Sequence, residues 1–599
     1  DAYRRGLAAQ PTRFESWNNL GNALQKSGRP DEAMSAYRQA IALRPEYADA
    51  WNNLGNVLQE QKQWDQAIAH FQRAIGLQPS YPEAWNNLAN ALAGKKQLEQ
   101  AIGAYQKALE QRPEFPSAWY NLANSLQKTG ELDQALAALK KAIALQPDYT
   151  AAYQNLGNVL KDMGRLGEAI AAYRRAIEMD PGSSVESCLL LSLLYSHEYT
   201  PQQVWEDHVR WDQRVSRLIG ARIRPHPNDR SHDRRLRIGY VSGDFRHHVV
   251  GYNIMPLFRE HNYEAFEIFC YSNTQEPDAY TEQFRSRAQH WHDIKELKDD
   301  EAAELIRQDR IDILVDLSLH TGHNRLLMFA RKPAPIQVTF AGYPGTTGLS
   351  RMDYRLTDPY LDPPEAEERF SSEKPLRLAD AFWCYDPREN RPPVGPLPAI
   401  ANGYVTFGCL NNFCKVNEAV LKLWSRVLRQ VPRSRLLMLA PRGSHRDRTI
   451  HLLESFGIEP GRLEFVGPAQ RDPYLRYYNR IDVGLDTFPY NGHTTSLDSY
   501  CMGVPVVTLV GTSPLSRAGW CQLTHLNLRE LAAESEEQFV SIASSLAGDV
   551  PRLTDLRASL RGRLEASPLM DPKRFARNIE TAYRQMWAAW CASGDSTAS

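Results

Sequence analysis

The segment WNNLGNALQKSGRPDEAMSAYRQAIALRP, residues 17–45, decides the fold of the amino-terminal part of the chain. It returns as WNNLGNVLQEQKQWDQAIAHFQRAIGLQP at residues 51–79, and three further copies begin at Trp85, Trp119 and Tyr153. A period of 34 residues held over five copies is diagnostic of stacked helical repeats. The positions shared by the copies are, in the first, Trp17, Leu20, Gly21, Leu24, Ala33, Tyr37, Ala40 and Pro45.

Each copy resembles the tetratricopeptide repeat. Aromatic and aliphatic residues at i, i+3 and i+7 pack one face of a first helix, and small alanines let a second helix approach it closely. We therefore expect an α-superhelix over residues 1–181, made of five full repeats and a partial one before them. An array of this kind is an interaction module, so we expect protein or peptide partners.

Asparagine pairs recur on the first helix of every repeat, at a spacing of i, i+3 that puts both on one face. In stacked repeats they would form two ladders, and their amides could hold an extended peptide backbone without reading its sequence. Alternatively, these amides only bond within or between repeats. The pairs are Asn19 and Asn22, Asn53 and Asn56, Asn87 and Asn90, Asn121 and Asn124, and Asn155 and Asn158.

The composition argues against several classes of protein. Lys and Arg total 70 against 71 for Asp and Glu, so no overall field favours nucleic acid or an anionic membrane as a partner. The eight cysteines form no CxxC pair and read as buried residues of a reducing compartment. No apolar stretch reaches the length of a signal peptide core or a membrane span, which predicts a cytoplasmic protein.

Beyond the repeats, residues 182–235 read as a helical connector that ends in a polar, Pro-containing linker. Short β-branched runs then alternate with amphipathic helices, which predicts parallel sheets. We expect two α/β lobes, at 236–395 and 396–570, followed by a terminal helix and tail at 571–599. The fold class is thus α plus α/β, with paired Rossmann-like lobes that look like the GT-B architecture and leave a ligand cleft between them.

Signatures of other nucleotide chemistry are missing from the sequence. It has no GxGxxG turn, no Walker A loop and no Asp-x-Asp pair placed to hold a divalent ion against a diphosphate. We therefore expect no metal and no bound cofactor, with protein groups neutralising the diphosphate of a nucleotide co-substrate.

The strongest local motif is LDTFPYNGHTTSLDSYCMGVPVVTL, residues 485–509. A strand, a tight turn and a helix beginning at Thr494 or Thr495 would make an anion site from hydroxyls, free backbone N–H groups and the helix dipole. His493 could lie against a base, sugar or phosphate, and Asp498 could accept from ribose hydroxyls. Otherwise the motif is an ordinary threonine cap with a solvent-facing histidine.

Two other strand-end loops carry candidate residues. In FGCLNNFCKV, residues 407–416, Lys415 could stabilise the charge on a leaving nucleotide, with Asn411 and Asn412 facing the same cleft. In GYVSGDFRHHVVG, residues 239–251, Asp244, His247 and His248 follow the first strand of the first lobe. His320, His323 and the Gly-rich loop at 342–348 are weaker candidates, and His197 reads by itself as a histidine near a helix end.

The sequence resembles the O-GlcNAc transferase family over essentially the whole chain. The motifs that carry the resemblance are the repeats, the DFxxH loop, PAPIQ at 333–337, the NxxK turn and DTFPYNGHTTSLD. The resemblance implies inverting transfer of GlcNAc from UDP-GlcNAc to Ser or Thr of proteins. The residues it assigns to nucleotide binding are Asn412, Lys415, Ala469, Arg471, Tyr474, His493, Thr494, Thr495 and Asp498. Those it assigns to catalysis are Lys415, Asp244, His248 and, as a general base, His197.

Two alternatives remain at this point. The first alternative is the plant SPINDLY branch, which transfers fucose from GDP-fucose and to which the segments DYRLTD, LDPPE and VTFG are also similar. His493, in contrast, favours UDP-GlcNAc as the donor. The other alternative is a non-catalytic scaffold, against which the joint presence of Lys415, His493 and Asp498 counts. The general base is open between His197, Asp244, a water chain and the donor's own phosphate.

Overall fold

The computed structural model describes residues 7, 10–182, 184–220, 223–365, 370–388 and 391–593. The chain divides into two compact units, one of residues 1–162 with 442–444 and one of 163–441 with 445–599. This division lies one helix earlier than the predicted boundary at 181. The second helix of the fifth repeat belongs to the second unit because it packs against the connector helix that follows it.

The first unit consists of helix pairs, as the 34-residue period predicts. Gly21 explains how closely a pair packs: a Cβ atom at this position would lie 2.5 Å from the Tyr37 ring, and Gly55 stands in the same way 2.7 Å from Phe71. Ala33 and Ala40, on the second helix, are fully buried. The helices are α1 Phe14–Lys26, α2 Pro30–Leu43, α3 Ala48–Glu60, α4 Trp64–Leu77, α5 Pro82–Gly94, α6 Leu98–Gln111, α7 Pro116–Thr129, α8 Leu132–Leu145 and α9 Thr150–Asp162.

The second unit begins with three helices that lead to the lobes. They are α10 Leu166–Met179, α11 Val185–Leu193 and α12 Pro201–Ile219. The start of α12 is fixed by a capping box, in which Thr200 accepts from the backbone N–H of Gln203 and the Gln203 side chain accepts from that of Thr200.

The first lobe is a seven-stranded parallel sheet in the order β3-β2-β1-β4-β5-β6-β7. Its strands are β1 Leu236–Ser242, β2 Phe266–Ser272, β3 His290–Asp293, β4 Ile313–Asp316, β5 Ile336–Thr339, β6 Tyr354–Thr357 and β7 Lys374–Arg377. Its helices are α13 Val249–Glu260, α14 Ala279–Arg285, α15 Asp299–Gln308 and α16 Leu326–Phe329. The sequence did not predict β3 and β7, because both are short, polar edge strands and β7 contains a proline.

The second lobe is a six-stranded parallel sheet in the order β10-β9-β8-β11-β12-β13. Its strands are β8 Thr406–Cys409, β9 Arg435–Leu439, β10 Leu463–Val466, β11 Val483–Leu485, β12 Val506–Leu509 and β13 Ala532–Ala533, of which the two-residue β13 was not predicted. Its helices are α17 Pro398–Asn402, α18 Glu418–Gln430, α19 Ser444–Ser455, α20 Arg471–Tyr477, α21 Thr494–Cys501, α22 Ala518–His525, α23 Glu536–Gly548 and α24 Val550–Glu565.

The last helix, α25 Pro572–Ser593, returns from the second lobe to the first and packs against α13. The Tyr583 hydroxyl lies 3.0 Å from that of Tyr240 on β1, and Glu580 is 2.9 Å from Nδ1 of the buried His261. The predicted terminal helix is thus observed at Pro572–Ser593, and its buried face packs into the core of the lobes. None of the helices in the described ranges is long and apolar enough to cross a membrane.

Candidate functional site

The candidate site lies at the switch point of the second lobe. From β8 the chain proceeds to β9 on one side, while β11 lies on the other side of β8. Loops that leave the carboxyl ends of β8 and β11 therefore diverge and open a crevice, the usual ligand position in such sheets. Residues 410–417 follow β8, and residues 486–493 lead from β11 into α21.

A buried carboxylate holds the second of these loops in shape. Asp486 accepts hydrogen bonds from the backbone N–H groups of Gly492, at 2.6 Å, and Thr487, at 2.8 Å, and from the Thr508 hydroxyl, at 2.8 Å. Burial raises the pKa of Asp486 to about 6, although these hydrogen bonds oppose the shift. Sequence reasoning missed this residue, although a carboxylate directly before the turn was a usable signal.

Lys415 lies at the end of a short 3-10 turn, Phe413–Lys415, that is capped by Asn412 through the backbone N–H of Cys414. Its Nζ donates to the Asn491 carbonyl at 2.9 Å and stands 3.9 Å from the centre of the Tyr490 ring. Burial lowers the pKa of Lys415 to about 8. Among the described residues, the Asn491 carbonyl is the one hydrogen-bond acceptor for this ammonium group, and an incoming anion would favour its protonated form.

His493 occupies the position before α21, and its ring stacks on Tyr490 with a centroid distance of 4.8 Å. Burial and the nearby Lys415 charge hold the pKa of His493 well below its ordinary value, so the ring is neutral. Its Nε2 is buried and meets no hydrogen-bond partner among the described residues. A neutral ring nitrogen without a partner, next to a cation, is available to a polar ligand.

The two threonines at the start of α21 connect the site to its surroundings. Thr494 Oγ1 accepts from Asn253 Nδ2 of α13 at 3.1 Å, a hydrogen bond between the two lobes. Thr495 donates to Asn411 Oδ1 in the loop after β8. The helix start predicted at Thr494 or Thr495 is confirmed at Thr494.

Asp498 is held by a guanidinium. Arg471 Nη1 donates to its Oδ2 at 2.6 Å, Arg471 Nη2 contacts its Oδ1, and the Tyr385 hydroxyl donates to Oδ1 at 2.7 Å. Although burial opposes it, the Asp498 carboxylate raises the pKa of Arg471. The sequence predicted both Asp498 and Arg471 but neither their pairing nor Tyr385, which lies after β7 near the end of the first lobe.

A cavity of about 430 Å³ collects most of the residues predicted to bind a nucleotide. From the second lobe these are Asn412, Arg471, Tyr474, Thr494, Thr495 and Asp498, and Val249 and Tyr252 close it from the first lobe. Its volume is within the usual range for ligand sites. Ala469 lies in the exposed loop before α20, outside the lining of this cavity.

In the first lobe, Asp244 and His248 form a pair next to this cavity. His248 Nδ1 is 3.3 Å from Asp244 Oδ2 and also accepts from the backbone N–H of Val250, so His248 caps α13. Burial lowers the pKa of His248, while the Asp244 carboxylate opposes that shift. Val249, the residue after His248, lines the cavity, whereas Asp244 and His248 are not among its lining residues.

The other predicted histidines are placed differently. His320 is buried, and its ring nitrogens lie 3.0 Å from Ser187 Oγ and 2.7 Å from the Thr347 carbonyl oxygen, a structural role between connector and lobe. His197 lies in an exposed turn between α11 and α12. Connector residues do reach the site: Tyr195 has its ring centroid 5.0 Å from that of Tyr490, and Leu191 and Leu194 pack in the same cluster. An aromatic residue within an apolar run gives no sequence signal for this contact.

The asparagine ladders in the first unit are bonded from repeat to repeat. Asn121 Nδ2 donates to Asn90 Oδ1 at 3.1 Å, and Asn155 donates to Asn124. In an earlier repeat the acceptor is a buried asparagine next to the ladder position: Asn53 Nδ2 donates to Asn18 Oδ1 at 3.0 Å. The inter-repeat alternative is thus observed for these amides. Asn53, Asn121 and Asn155 remain only half-buried.

Two parallel α/β lobes with a ligand crevice between them define the GT-B class of fold. The chain belongs to glycosyl transferase family 41, whose model matches residues 213–392 and 397–579. Tetratricopeptide-repeat models match 1–48, 18–82, 53–117 and 114–181. The resemblance found in the sequence and the predicted fold class are therefore confirmed.

The structure is similar to that of an O-GlcNAc transferase variant from Thermobaculum terrenum, with a TM-score of 0.80 and 36% identity, over 86% of this chain and 98% of that one. A SPINDLY protein of Petunia hybrida, described as a probable UDP-N-acetylglucosamine–peptide N-acetylglucosaminyltransferase, is 40% identical over 410 residues, 67% of this chain and 44% of that protein. The SEC protein of Arabidopsis thaliana, with the same description, is 33% identical over 60% of this chain and 38% of its own length. The chain thus spans less than half the length of these curated relatives.

Proposed function

We propose that this chain is an inverting protein O-glycosyltransferase that moves GlcNAc from UDP-GlcNAc to Ser or Thr side chains of proteins. The observation that carries the proposal is the position of Lys415. Its ammonium meets the turn before α21 at the switch point, close to His493, whose Nε2 has no hydrogen-bond partner among the residues that the structure describes. The relatives described as peptide N-acetylglucosaminyltransferases support GlcNAc as the sugar.

In this proposal the diphosphate lies against the N-terminus of α21, where free N–H groups and the helix dipole favour negative charge. As the bond to the sugar breaks, negative charge grows on the leaving UDP, and Lys415 stabilises it in place of a metal ion. The Arg471–Asp498 pair positions the ribose and base end of the donor in the 430 Å³ cavity.

Inversion requires the acceptor hydroxyl to attack the sugar from the face opposite the leaving diphosphate. A group on that side must take the hydroxyl proton. The Asp244–His248 pair in the opposite lobe is better placed for this than His197, which lies in an exposed turn. We include acceptor proteins bound along the half-buried asparagines of the repeats, and a cytoplasmic site of action, in the same proposal.

The test is to incubate the purified protein separately with UDP-GlcNAc and GDP-fucose, and to measure nucleotide release and self-modification by mass spectrometry. We expect UDP release and added GlcNAc. If the protein turns over GDP-fucose and not UDP-GlcNAc, the donor is GDP-fucose, as in the SPINDLY branch. Release from neither donor would contradict the enzyme proposal and favour a scaffold.

A further inference from the structure

The two adjacent threonines at the start of α21 differ in how their hydroxyl protons are used. Thr494 and Thr495 both line the nucleotide cavity, and both are half-buried. A hydroxyl group has one proton to donate and can also accept. Each threonine side chain can therefore donate to a bound anion only if no protein group already takes its proton.

The proton of Thr495 is used within the protein. Thr487 donates its own proton to the Tyr490 carbonyl at 2.8 Å, so its oxygen accepts from Asn411 Nδ2, at 2.9 Å. This contact turns the amide oxygen of Asn411 towards Thr495, and an amide oxygen only accepts. Thr495 therefore donates to Asn411, and its hydroxyl has no proton left for a ligand.

Thr494 is bonded in the opposite sense. Its Oγ1 accepts from Nδ2 of Asn253, a residue of α13 in the first lobe, at 3.1 Å. Within the described part of the chain, no acceptor takes the proton of Thr494. Asn253 itself is only 9% exposed and is not one of the residues that line the cavity. Asn253 therefore acts on a ligand in the cavity through Thr494.

We propose that Asn253 is a positioning residue for the donor: because it donates to Thr494 Oγ1, the Thr494 proton is left for a diphosphate oxygen of the nucleotide-sugar. The Thr495 hydroxyl instead ties the start of α21 to the loop after β8. This inference rests on the proposed function and gives different roles to two threonines that the sequence motif treats alike. It also gives the first lobe a part in binding the diphosphate.

The test compares UDP with uridine, which has the same base and ribose and no phosphate. Calorimetry gives the dissociation constant of UDP, and competition against UDP gives that of uridine. Thr494→Val removes the hydroxyl and should weaken UDP binding about thirtyfold, a usual loss for a hydrogen bond to a charged group. Asn253→Leu should weaken it about fivefold, because the Thr494 hydroxyl keeps its proton and loses its orientation. Neither variant should change the binding of uridine.

The fold should tolerate Asn253→Leu. The substitution removes a buried amide whose Oδ1 meets no partner among the described residues, and leucine is of similar size. Unchanged uridine binding also reports that the cavity is intact. Asn402→Leu, at an exposed asparagine that ends α17, is the matched control and should leave both dissociation constants unchanged.

A double-mutant cycle tests whether Asn253 acts through Thr494. When Asn253→Leu is added to Thr494→Val, UDP binding should weaken no further, whereas Asn253→Leu added to Thr495→Val should keep its full effect. Additive losses with Thr494→Val, or equal losses of UDP and uridine in Asn253→Leu, overturn the positioning role alone. Unchanged or tighter UDP binding in Asn253→Leu overturns it too, since Thr494 then donates to Asn253. An unsubstituted protein that does not bind UDP contradicts the proposed function instead.

Discussion

The two lobes share one architecture and differ in what they present at their switch points. In each sheet one neighbour of the first strand leads to a buried aspartate: Asp316 is the last residue of β4 in the first lobe, and Asp486 directly follows β11 in the second. Each accepts two backbone N–H groups of the following loop and a threonine hydroxyl of the next strand, at 2.8 Å in both lobes. Burial raises the pKa of both carboxyls to about 6.

The side chains set on this shared framework are different. The second lobe places Lys415, His493 and the start of α21 in its crevice, next to a cavity of nucleotide size. The first lobe places the Asp244–His248 pair directly before Val249, which lines that cavity. The two lobes thus share the aspartate framework and differ in their loop residues, which in the proposed function bind the diphosphate in the second lobe and face the acceptor in the first.

The largest expected effect tests the anion-binding side of this comparison. Lys415→Met removes the charge and keeps most of the volume, so turnover of UDP-GlcNAc should fall about a hundredfold to a thousandfold. Initial rates of UDP release measure it. Lys422→Met, an exposed lysine on α18, is the matched control and should leave the rate unchanged. Near-normal turnover in Lys415→Met would remove the residue from the reaction.

The lowered pKa of Lys415 predicts that the rate falls at alkaline pH. Because its pKa is lowered to about 8, the free protein loses the ammonium above this pH, and kcat/KM for the donor should fall about tenfold per pH unit there. Bound diphosphate favours the charged form, so kcat should fall only at higher pH. Rates in a buffer series at constant ionic strength measure both profiles. A kcat/KM that stays flat well above pH 8 would contradict the assignment of the limb to Lys415.

The first lobe's pair should have a smaller effect. His248→Ala removes the partner of Asp244 and is expected to lower peptide glycosylation by about a hundredfold, the lower end of what groups that transfer protons contribute. Donor hydrolysis without peptide should change less, since it does not use the acceptor hydroxyl. His197→Ala is the control and should change neither rate more than about twofold. A large loss in His197→Ala would return the general base to the connector.

The shared framework itself can be tested by stability. Asp316→Asn and Asp486→Asn each put an amide N–H₂ where an oxygen accepts, so each should lower the free energy of unfolding by about 1–3 kcal/mol. Urea unfolding measures this. Only Asp486→Asn should also impair donor turnover, because its loop carries Asn491 and His493. Equal losses of turnover in both variants would mean that the two crevices act as one site.

Much of the molecule followed from local sequence. The 34-residue period predicted the helix pairs, because a small residue recurs at the position of Gly21 and a large one at the position of Tyr37, as in the second repeat with Gly55 and Phe71. The motif around Thr494 placed a helix start directly after a turn, because that signal depends only on neighbouring residues. The buried strands of both lobes were predicted for the same reason, whereas the polar edge strand β3 was not.

Only the tertiary structure decided which distant segments of the chain are in contact. No local pattern pairs Arg471 with Asp498, brings Tyr195 to Tyr490 or folds α25 back onto the first lobe. The sequence by itself determined which residue types stand at the strand ends. The order of the strands determined which of those ends share a crevice, because that order follows from burial of the whole sheet and from no single segment of the chain.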